Sequence, residues 1–179
     1  MKGALGLRRI HGHLLLAVLG LVLARPGLVT NLAGGGLVAM GLVVRVWAAG
    51  VLQKGGGLCT DGPYQYVRHP LYVGSLVAAL GFCVMMSVVW AWAVVLPLFI
   101  VLYAVQVSLE ERLLRAEYGE RHREYAAEVP KVVPRLRSGG VGGGRRWSFS
   151  QALVNREQYH VFVTVGLVAL FYAKWYWGW

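Results

Sequence analysis

Two polar motifs in an otherwise apolar chain contain the residue types that could do chemistry. The first is RHPLYVG, at 68–74, which opens directly into an apolar run, and the second is the pair Glu110-Glu111. An arginine and a helix N-terminus can hold a carboxylate, a carboxylate pair can hold an amine, and tyrosine rings can contact a sulfonium or an adenine. Together these preferences describe a cationic nucleotide that carries an amino acid.

The elements that must position these motifs are membrane helices. The chain has 179 residues, of which 57% are hydrophobic and 15% are charged, whereas soluble domains are about half apolar and about a quarter charged. A bilayer core of about 30 Å requires roughly 20 apolar residues per helix. We therefore predict an all-α, polytopic integral membrane protein that forms a single domain over 1–179. Its predicted spans are 12–24, 28–50, 71–87, 89–108 and 161–177.

The third and fourth spans are predicted to form a tight helical hairpin. Their connection, MMSVVWAW, contains no Gly, Pro or charge, and Trp90 and Trp92 suit the membrane interface. Pro70 suits the first turn of the third span, where a missing N–H costs nothing. Arg68 and His69 then lie at the N-terminal mouth of that helix.

The formal net charge of +10 could indicate nucleic acid, but its placement indicates a membrane instead. Basic residues precede the first span, lie between the second and third, and are most numerous in the segment from 109 to 160. This alternation follows the positive-inside rule and predicts a cytoplasmic N-terminus and a cytoplasmic active site, with no nucleic-acid partner. The first apolar run could instead be a signal peptide, but no small-residue cleavage site follows it.

Two cytoplasmic segments are predicted to hold the cofactor, at 62–74 and 108–134. The first is a turn-rich loop, and the second contains six of the eight acidic residues. Within the second, Gly119 is expected to end one short helix, and another should end near Pro130. The Gly-rich linker at 137–146 is either a flexible spacer or a segment that lies on an anionic leaflet.

Three stretches of this sequence resemble one family of enzymes. They are RVWAAG (45–50), GPYQYVRHPLYVG (62–74) and EERLLRAEYGERHREYAAEVPKVVP (110–134). Over 41–134 the chain resembles the isoprenylcysteine carboxyl methyltransferase and phospholipid methyltransferase group. The resemblance implies that S-adenosylmethionine enters from the cytosol and that its methyl group passes to a lipophilic acceptor from the bilayer, such as an isoprenoid-thiol carboxylate or a phospholipid amine.

The resemblance also implies roles for individual residues. Arg68, Glu111 and Arg45 are the expected catalytic or acceptor-binding groups, although Arg45 could equally extend to the membrane surface. Gly74 is also explained by helix packing. The chain departs from the family pattern at His122, where an aromatic residue is usual. The residues expected to contact the cofactor are Tyr64, His69, Tyr72, Gly74, Glu110, Glu111, Tyr118, Tyr125 and Pro130.

Three alternatives fit parts of the sequence. A membrane sterol reductase would use NADPH at a related core, and a non-catalytic membrane scaffold would explain the spans but not the two motifs. A metal enzyme could be argued from five histidines, but no carboxylate cluster with ligand spacing accompanies them, so we expect no metal. The sequence does not indicate the oligomeric state. The histidines are His11, His13, His69, His122 and His160.

Overall fold

A computed structural model describes residues 20–53, 55–136 and 142–178, and in these residues every regular element is helical. Short 3₁₀ and π segments lie at Gly62–Gln65 and Ala91–Val95. Most of the predicted span 12–24, together with His11 and His13, lies outside the described residues. The helices are α1 (Leu28–Val51), α2 (Pro70–Met86), α3 (Leu96–Glu128), α4 (Phe149–Val154) and α5 (Glu157–Trp177).

Among the described residues, two helical stretches are long and apolar enough to cross a membrane, Leu28–Val51 and Ala91–Glu128. The first has 24 residues, which corresponds to about 36 Å at the α-helical rise. A shorter apolar helix, Pro70–Met86, packs beside it. Large apolar side chains such as Val43, Val105 and Phe162 point away from the protein, which suits contact with lipid. An all-helical membrane protein is thus supported, and the full set of five spans stays a prediction.

Helices α1 and α2 approach each other closely at two pairs of glycines. A Cβ atom on Gly34 would lie 2.5 Å from the carbonyl oxygen of Gly81, and one on Gly81 would lie 2.6 Å from the carbonyl oxygen of Gly34. Gly41 and Gly74 face each other in the same way, one heptad further along α1. Small residues let membrane helices pack backbone to backbone, and the glycines serve that purpose here.

The chain reverses direction between α2 and α3. Ser87 adopts the left-handed conformation (φ 53°), and the Cys83 thiol contacts the carbonyl oxygen of Ala91 across the turn. Further along the two helices, the rings of Tyr72 and Tyr103 meet edge to face with centroids 5.3 Å apart. The two helices therefore form the antiparallel hairpin that the sequence predicts.

Helix α3 is much longer than its apolar part. From Glu110 onward it is rich in charged residues, so this half extends beyond the apolar span. Gly119 interrupts it with φ 51° and ψ −118°, and helix then resumes as far as Glu128. The expected helix end at Gly119 is therefore a sharp kink, and the second segment folds back toward the loop that precedes α2.

The segment 142–155 covers the C-terminal end of α1. The side-chain amide of Asn155 donates to the carbonyl oxygens of Ala49 (2.7 Å) and Leu52 (2.6 Å), which satisfies acceptors that a helix end leaves open. The backbone N–H of Gly144 donates to Asp61 at 2.7 Å. The described part of the Gly-rich linker thus makes defined contacts with the loop before α2.

The glycine contact between α1 and α2 predicts opposite effects for two neighbouring substitutions. Gly41→Ala places a methyl group against the carbonyl of Gly74 and should lower the free energy of unfolding by about 1–3 kcal/mol. Gly36→Ala, on the same helix, meets nothing within 4 Å and should be neutral or stabilise by up to about 1 kcal/mol. Thermal unfolding in nanodiscs measures both, and equal effects would contradict the proposed contact.

Candidate active site

An ion cluster joins the two polar motifs. The Arg68 guanidinium donates through Nε to Oε1 of Glu111 and through Nη2 to Oε2, each at 3.0 Å. His69 Nε2 lies 2.8 Å from the same Oε1. Both side chains of the Arg68–Glu111 pair are only 11% exposed. The cluster brings together residues that are more than forty positions apart in the sequence.

Local structure explains why Arg68 and His69 reach α3. Pro70 begins α2, so His69 immediately precedes the helix and Arg68 remains on the loop. The backbone N–H of Arg68 donates to the carbonyl oxygen of Pro130 at 2.9 Å, and its Nη1 donates to the carbonyls of Ala126 and Val129. One arginine therefore fixes the loop, the carboxylate and the end of α3.

The electrostatic environment keeps Glu111 ionised. Burial alone raises the pKa of this carboxyl, but hydrogen bonds from Arg68 and His69, together with the charges of these groups, bring the pKa below its ordinary value of 4.5. His122 lies behind the cluster, with Nε2 3.8 Å from Oε1 of Glu111. Burial lowers the pKa of His122, so its imidazole is neutral at physiological pH. His122, the residue at which the sequence departs from the family pattern, thus lies next to Glu111 of the ion cluster.

A polar cavity of about 430 Å³ opens beside the cluster. Gly74 does not line it, because it faces α1, and Glu111 and Pro130 lie behind its wall. The structure therefore gathers most of the predicted site residues around one cavity. The predicted residues that line it are Arg45, Tyr64, Arg68, His69, Tyr72, Glu110, Tyr118 and Tyr125.

The groups that face this cavity differ in charge. The Glu110 carboxylate is 42% exposed, and its Oε2 lies 3.8 Å from Nδ1 of His69. The Tyr125 hydroxyl donates to the carbonyl oxygen of Tyr64 at 2.7 Å. Burial raises the pKa of both phenols, which therefore stay protonated. The two arginines that line the cavity are each paired with a carboxylate outside it. The cavity thus offers one accessible carboxylate and neutral aromatic rings, a set that suits a cationic ligand with an aromatic base.

A second, largely apolar cavity of about 250 Å³ lies among the helices. The two cavities share Arg45, Tyr103 and His160 as lining residues, so these residues form the junction between them. A ligand in the polar cavity and an apolar ligand in the second could meet there. The apolar cavity is otherwise lined mainly by residues such as Leu42, Phe82, Phe99, Leu102, Leu167 and Phe171.

Arg45 is fixed at the junction and does not extend to the membrane surface. Its Nε and Nη2 donate to Oε1 and Oε2 of Glu157 at 2.6 and 3.0 Å, and its Nη1 donates to Oγ of Ser75 at 2.5 Å and to the carbonyl of Leu71. The sequence analysis did not predict that Glu157 pairs with Arg45 or that Tyr103 and His160 line the junction. A signal existed for Glu157, because it directly precedes an apolar span and Arg45 lies inside another.

Comparison with known proteins identifies the class. Residues 29–121 match the model of the phospholipid methyltransferase family, and this range includes both polar motifs and the hairpin between them. The chain is a member of the phospholipid methyltransferase family.

Individual relatives span several activities. The chain is 36% identical over 101 residues to the cobalt-zinc-cadmium resistance protein CzcN of Cupriavidus metallidurans, covering 55% of this chain and 46% of that one. It is 40% identical over 81 residues to protein-S-isoprenylcysteine O-methyltransferase B of Arabidopsis thaliana, covering 43% and 39%. It is 38% identical over 75 residues to methanethiol S-methyltransferase of Crocosphaera subtropica, covering 42% and 28%.

These matches are partial. The chain spans less than half the length of the curated relatives it matches. No solved structure matches it. Although one relative is named for metal resistance, the described residues contain no group of three or more His, Cys, Asp or Glu side chains placed to hold a metal ion.

The ion cluster predicts an acid-dependent loss of stability. A carboxyl whose pKa is lowered by folding stabilises the protein above its ordinary value of 4.5, and this contribution is lost as the pH falls through the lowered pKa. Glu111→Gln leaves Arg68 buried without a counter-charge, so it should cost about 3 kcal/mol at neutral pH and flatten the acid loss. Unfolding monitored by circular dichroism from pH 7 to pH 3 measures both effects.

The matched control for this prediction is Glu120→Gln. Glu120 pairs with Arg123 on the surface, where its side chain is 65% exposed. An exposed pair of this kind contributes little, so the variant should stay within about 0.5 kcal/mol of the wild type at every pH. If both variants behaved alike, the cluster would not be a structural determinant.

Proposed function

We propose that this protein transfers the methyl group of S-adenosylmethionine to a lipophilic acceptor at the cytoplasmic face of a membrane. The observation that supports this most directly is the junction of Arg45, Tyr103 and His160, which the polar and apolar cavities share. A charged donor from the cytoplasm and an acceptor from the bilayer would reach each other there. The family of the chain supplies the reaction class.

The polar cavity fits the proposed donor by its chemistry. The exposed Glu110 carboxylate suits the amino group of the methionine part, and His69 at the mouth of α2 suits the carboxylate. The neutral rings of Tyr64, Tyr118 and Tyr125 offer faces for adenine and for a cationic sulfur. These assignments are proposals for the residues that line the cavity.

Arg68 and Glu111 act in this proposal as positioning residues. Each bonds to the other, and Arg68 also bonds to two backbone carbonyls, so neither is arranged to bind a ligand directly. Their proposed role is to hold His69 and the loop against α3. Glu111 accepts from His69 Nε2, which leaves Nδ1 on the side of Glu110.

Methyl transfer from a sulfonium depends more on the alignment of donor and acceptor than on proton transfer by an acid or a base. When bound, S-adenosylmethionine supplies a methyl group on a positively charged sulfur, which an in-line nucleophile attacks. The proposed contribution of the chain is to align donor and acceptor across the junction and to exclude water from it, effects that lower the barrier through proximity and desolvation. The apolar cavity among the helices would hold the hydrocarbon part of the acceptor.

The decisive experiment measures ligand binding to the purified protein in nanodiscs. Calorimetric titration should detect S-adenosylhomocysteine and not NADPH. Glu110→Gln removes the accessible carboxylate and should weaken S-adenosylhomocysteine binding by about tenfold, because a charge-assisted hydrogen bond is lost. The unfolding midpoint of this variant should stay close to that of the wild type, since the side chain is partly exposed and its ion-pair partner, His69 Nδ1, is 3.8 Å away.

Glu120→Gln serves as the control, because it changes the same residue type on the same helix away from the cavity. Its affinity for S-adenosylhomocysteine should equal that of the wild type. Binding of NADPH alone would favour a reductase, and binding of neither nucleotide would leave the proposed function without support.

A further inference from the structure

The charge at the cavity junction is already neutralised. Arg45 is the one cation among the described residues that line the apolar cavity, and it forms a bidentate pair with Glu157, which is 4% exposed. Its remaining donor, Nη1, bonds to Ser75 and to the carbonyl of Leu71. Arg45 therefore contributes structure to the junction without offering a positive charge to a ligand.

This neutralisation disfavours an acceptor whose reacting group is a carboxylate. A carboxylate that leaves water for an apolar site requires a cation to compensate its lost hydration. Among the described side chains that line the apolar cavity, only Arg45 could supply one, and it would have to release Glu157 and leave a buried carboxylate unpaired, which is strongly unfavourable. A nucleophile that enters without charge avoids both costs.

His160 lies at the same junction, less than one helical turn beyond Glu157 on α5. It lines both cavities, and the hydrogen bonds among the described residues include none to its imidazole. Histidine is the side chain best suited to exchange a proton near neutral pH. The ring is thus placed where a nucleophile would lose its proton.

We propose that the acceptor is a lipophilic thiol or neutral amine and that His160 takes its proton. This inference rests on the proposed function. In the step, a bond forms between the sulfur or nitrogen of the acceptor and the transferred methyl carbon. The bond from that carbon to the donor sulfur breaks, and its electron pair stays on the donor. The proton of the acceptor passes to the imidazole, so the positive charge lost by the donor sulfur is carried by the ring until the proton leaves to water through the polar cavity.

Other titratable groups lie at the junction or line the polar cavity. The Arg45–Glu157 pair lies at the junction itself, and its two charges compensate each other. The groups on the remaining elements line the polar cavity that His160 also lines. They are Cys59 and Tyr64 on the loop after α1, Arg68 and His69 before α2, Tyr72 on α2, and Tyr103, Glu110, Tyr118 and Tyr125 on α3.

The first test compares wild type and His160→Gln with three ten-carbon acceptors: decanethiol, decylamine and decanoate. The wild type should methylate the thiol or the amine. The variant should lose about 10²-fold or more in kcat at neutral pH. For the thiol, this deficit should shrink as the pH rises above the thiol pKa, because the thiolate then forms without a base. Affinity for S-adenosylhomocysteine should remain within about twofold, which a general structural defect would not allow.

The matched control is Tyr159→Phe, one residue earlier on the same helix. This side chain is 63% exposed and lines neither cavity, so the variant should keep the wild-type pH profile. Full activity of His160→Gln with an unchanged pH profile would overturn the role of His160.

The second test measures binding without turnover. Decanoate should bind no more tightly than decanol to the wild type in the presence of S-adenosylhomocysteine. Glu157→Gln frees the charge of Arg45 and should strengthen decanoate binding by about tenfold. The double variant Arg45→Gln/Glu157→Gln, which replaces the pair by neutral amides, should bind decanoate as the wild type does. A wild type that prefers decanoate, or a double variant that loses decanoate binding, would overturn the charge argument.

The outcomes separate this inference from the proposed function. If the wild type binds S-adenosylhomocysteine and methylates decanoate but neither the thiol nor the amine, the inference fails and the proposed function stands. If it does not bind S-adenosylhomocysteine, both fail.

Discussion

The contact between Arg68 and Glu111 is the interaction on which the rest of the site depends. It joins the loop before α2 to α3, at the two outer ends of the hairpin, and it buries both charges. Either group alone would carry a large desolvation cost, so the pair forms as a unit. Successive helical residues are about 100° apart around the axis. With Glu111 held inward, Glu110 faces the polar cavity and stays exposed. One ion pair thereby sets the orientation of the neighbouring carboxylate and of His69.

The glycine contact between α1 and α2 supports the junction in a comparable way. Arg45 lies one turn beyond Gly41 on α1, and Ser75 follows Gly74 on α2. Because the backbones approach closely at these glycines, the guanidinium reaches across α2 to Ser75 and on to Glu157 of α5. A wider helix spacing would separate these groups. The buried ion pair thus depends on packing by small residues in the apolar region.

The sequence predicted the parts of this site that local physics determines. Two apolar runs that begin at Pro70 and are joined by a short connection without Gly, Pro or charge predict a hairpin. A hairpin brings the residues at its two outer ends together. That argument alone places Arg68 and His69 near Glu110 and Glu111. It could not show that Glu111 and not Glu110 turns toward Arg68, because this depends on the rotation of α3 about its axis. Nor could it show that the kink at Gly119 brings the end of α3 back to the loop.

The hairpin argument does not reach the pairing of Arg45 with Glu157, since the two residues are separated by 112 positions and by three helices. Only their unusual places, one inside an apolar span and one before another, marked them as candidates. This separation has a functional implication within the proposed mechanism. The family match ends at residue 121, whereas Glu157 and His160 lie in the C-terminal part of the chain. The polar cavity, which would hold the common donor, is built mainly from matched residues. The junction with the apolar cavity is completed by the later segment. A division of this kind would let changes in α5 alter which acceptor is used while the cavity for the donor stays the same.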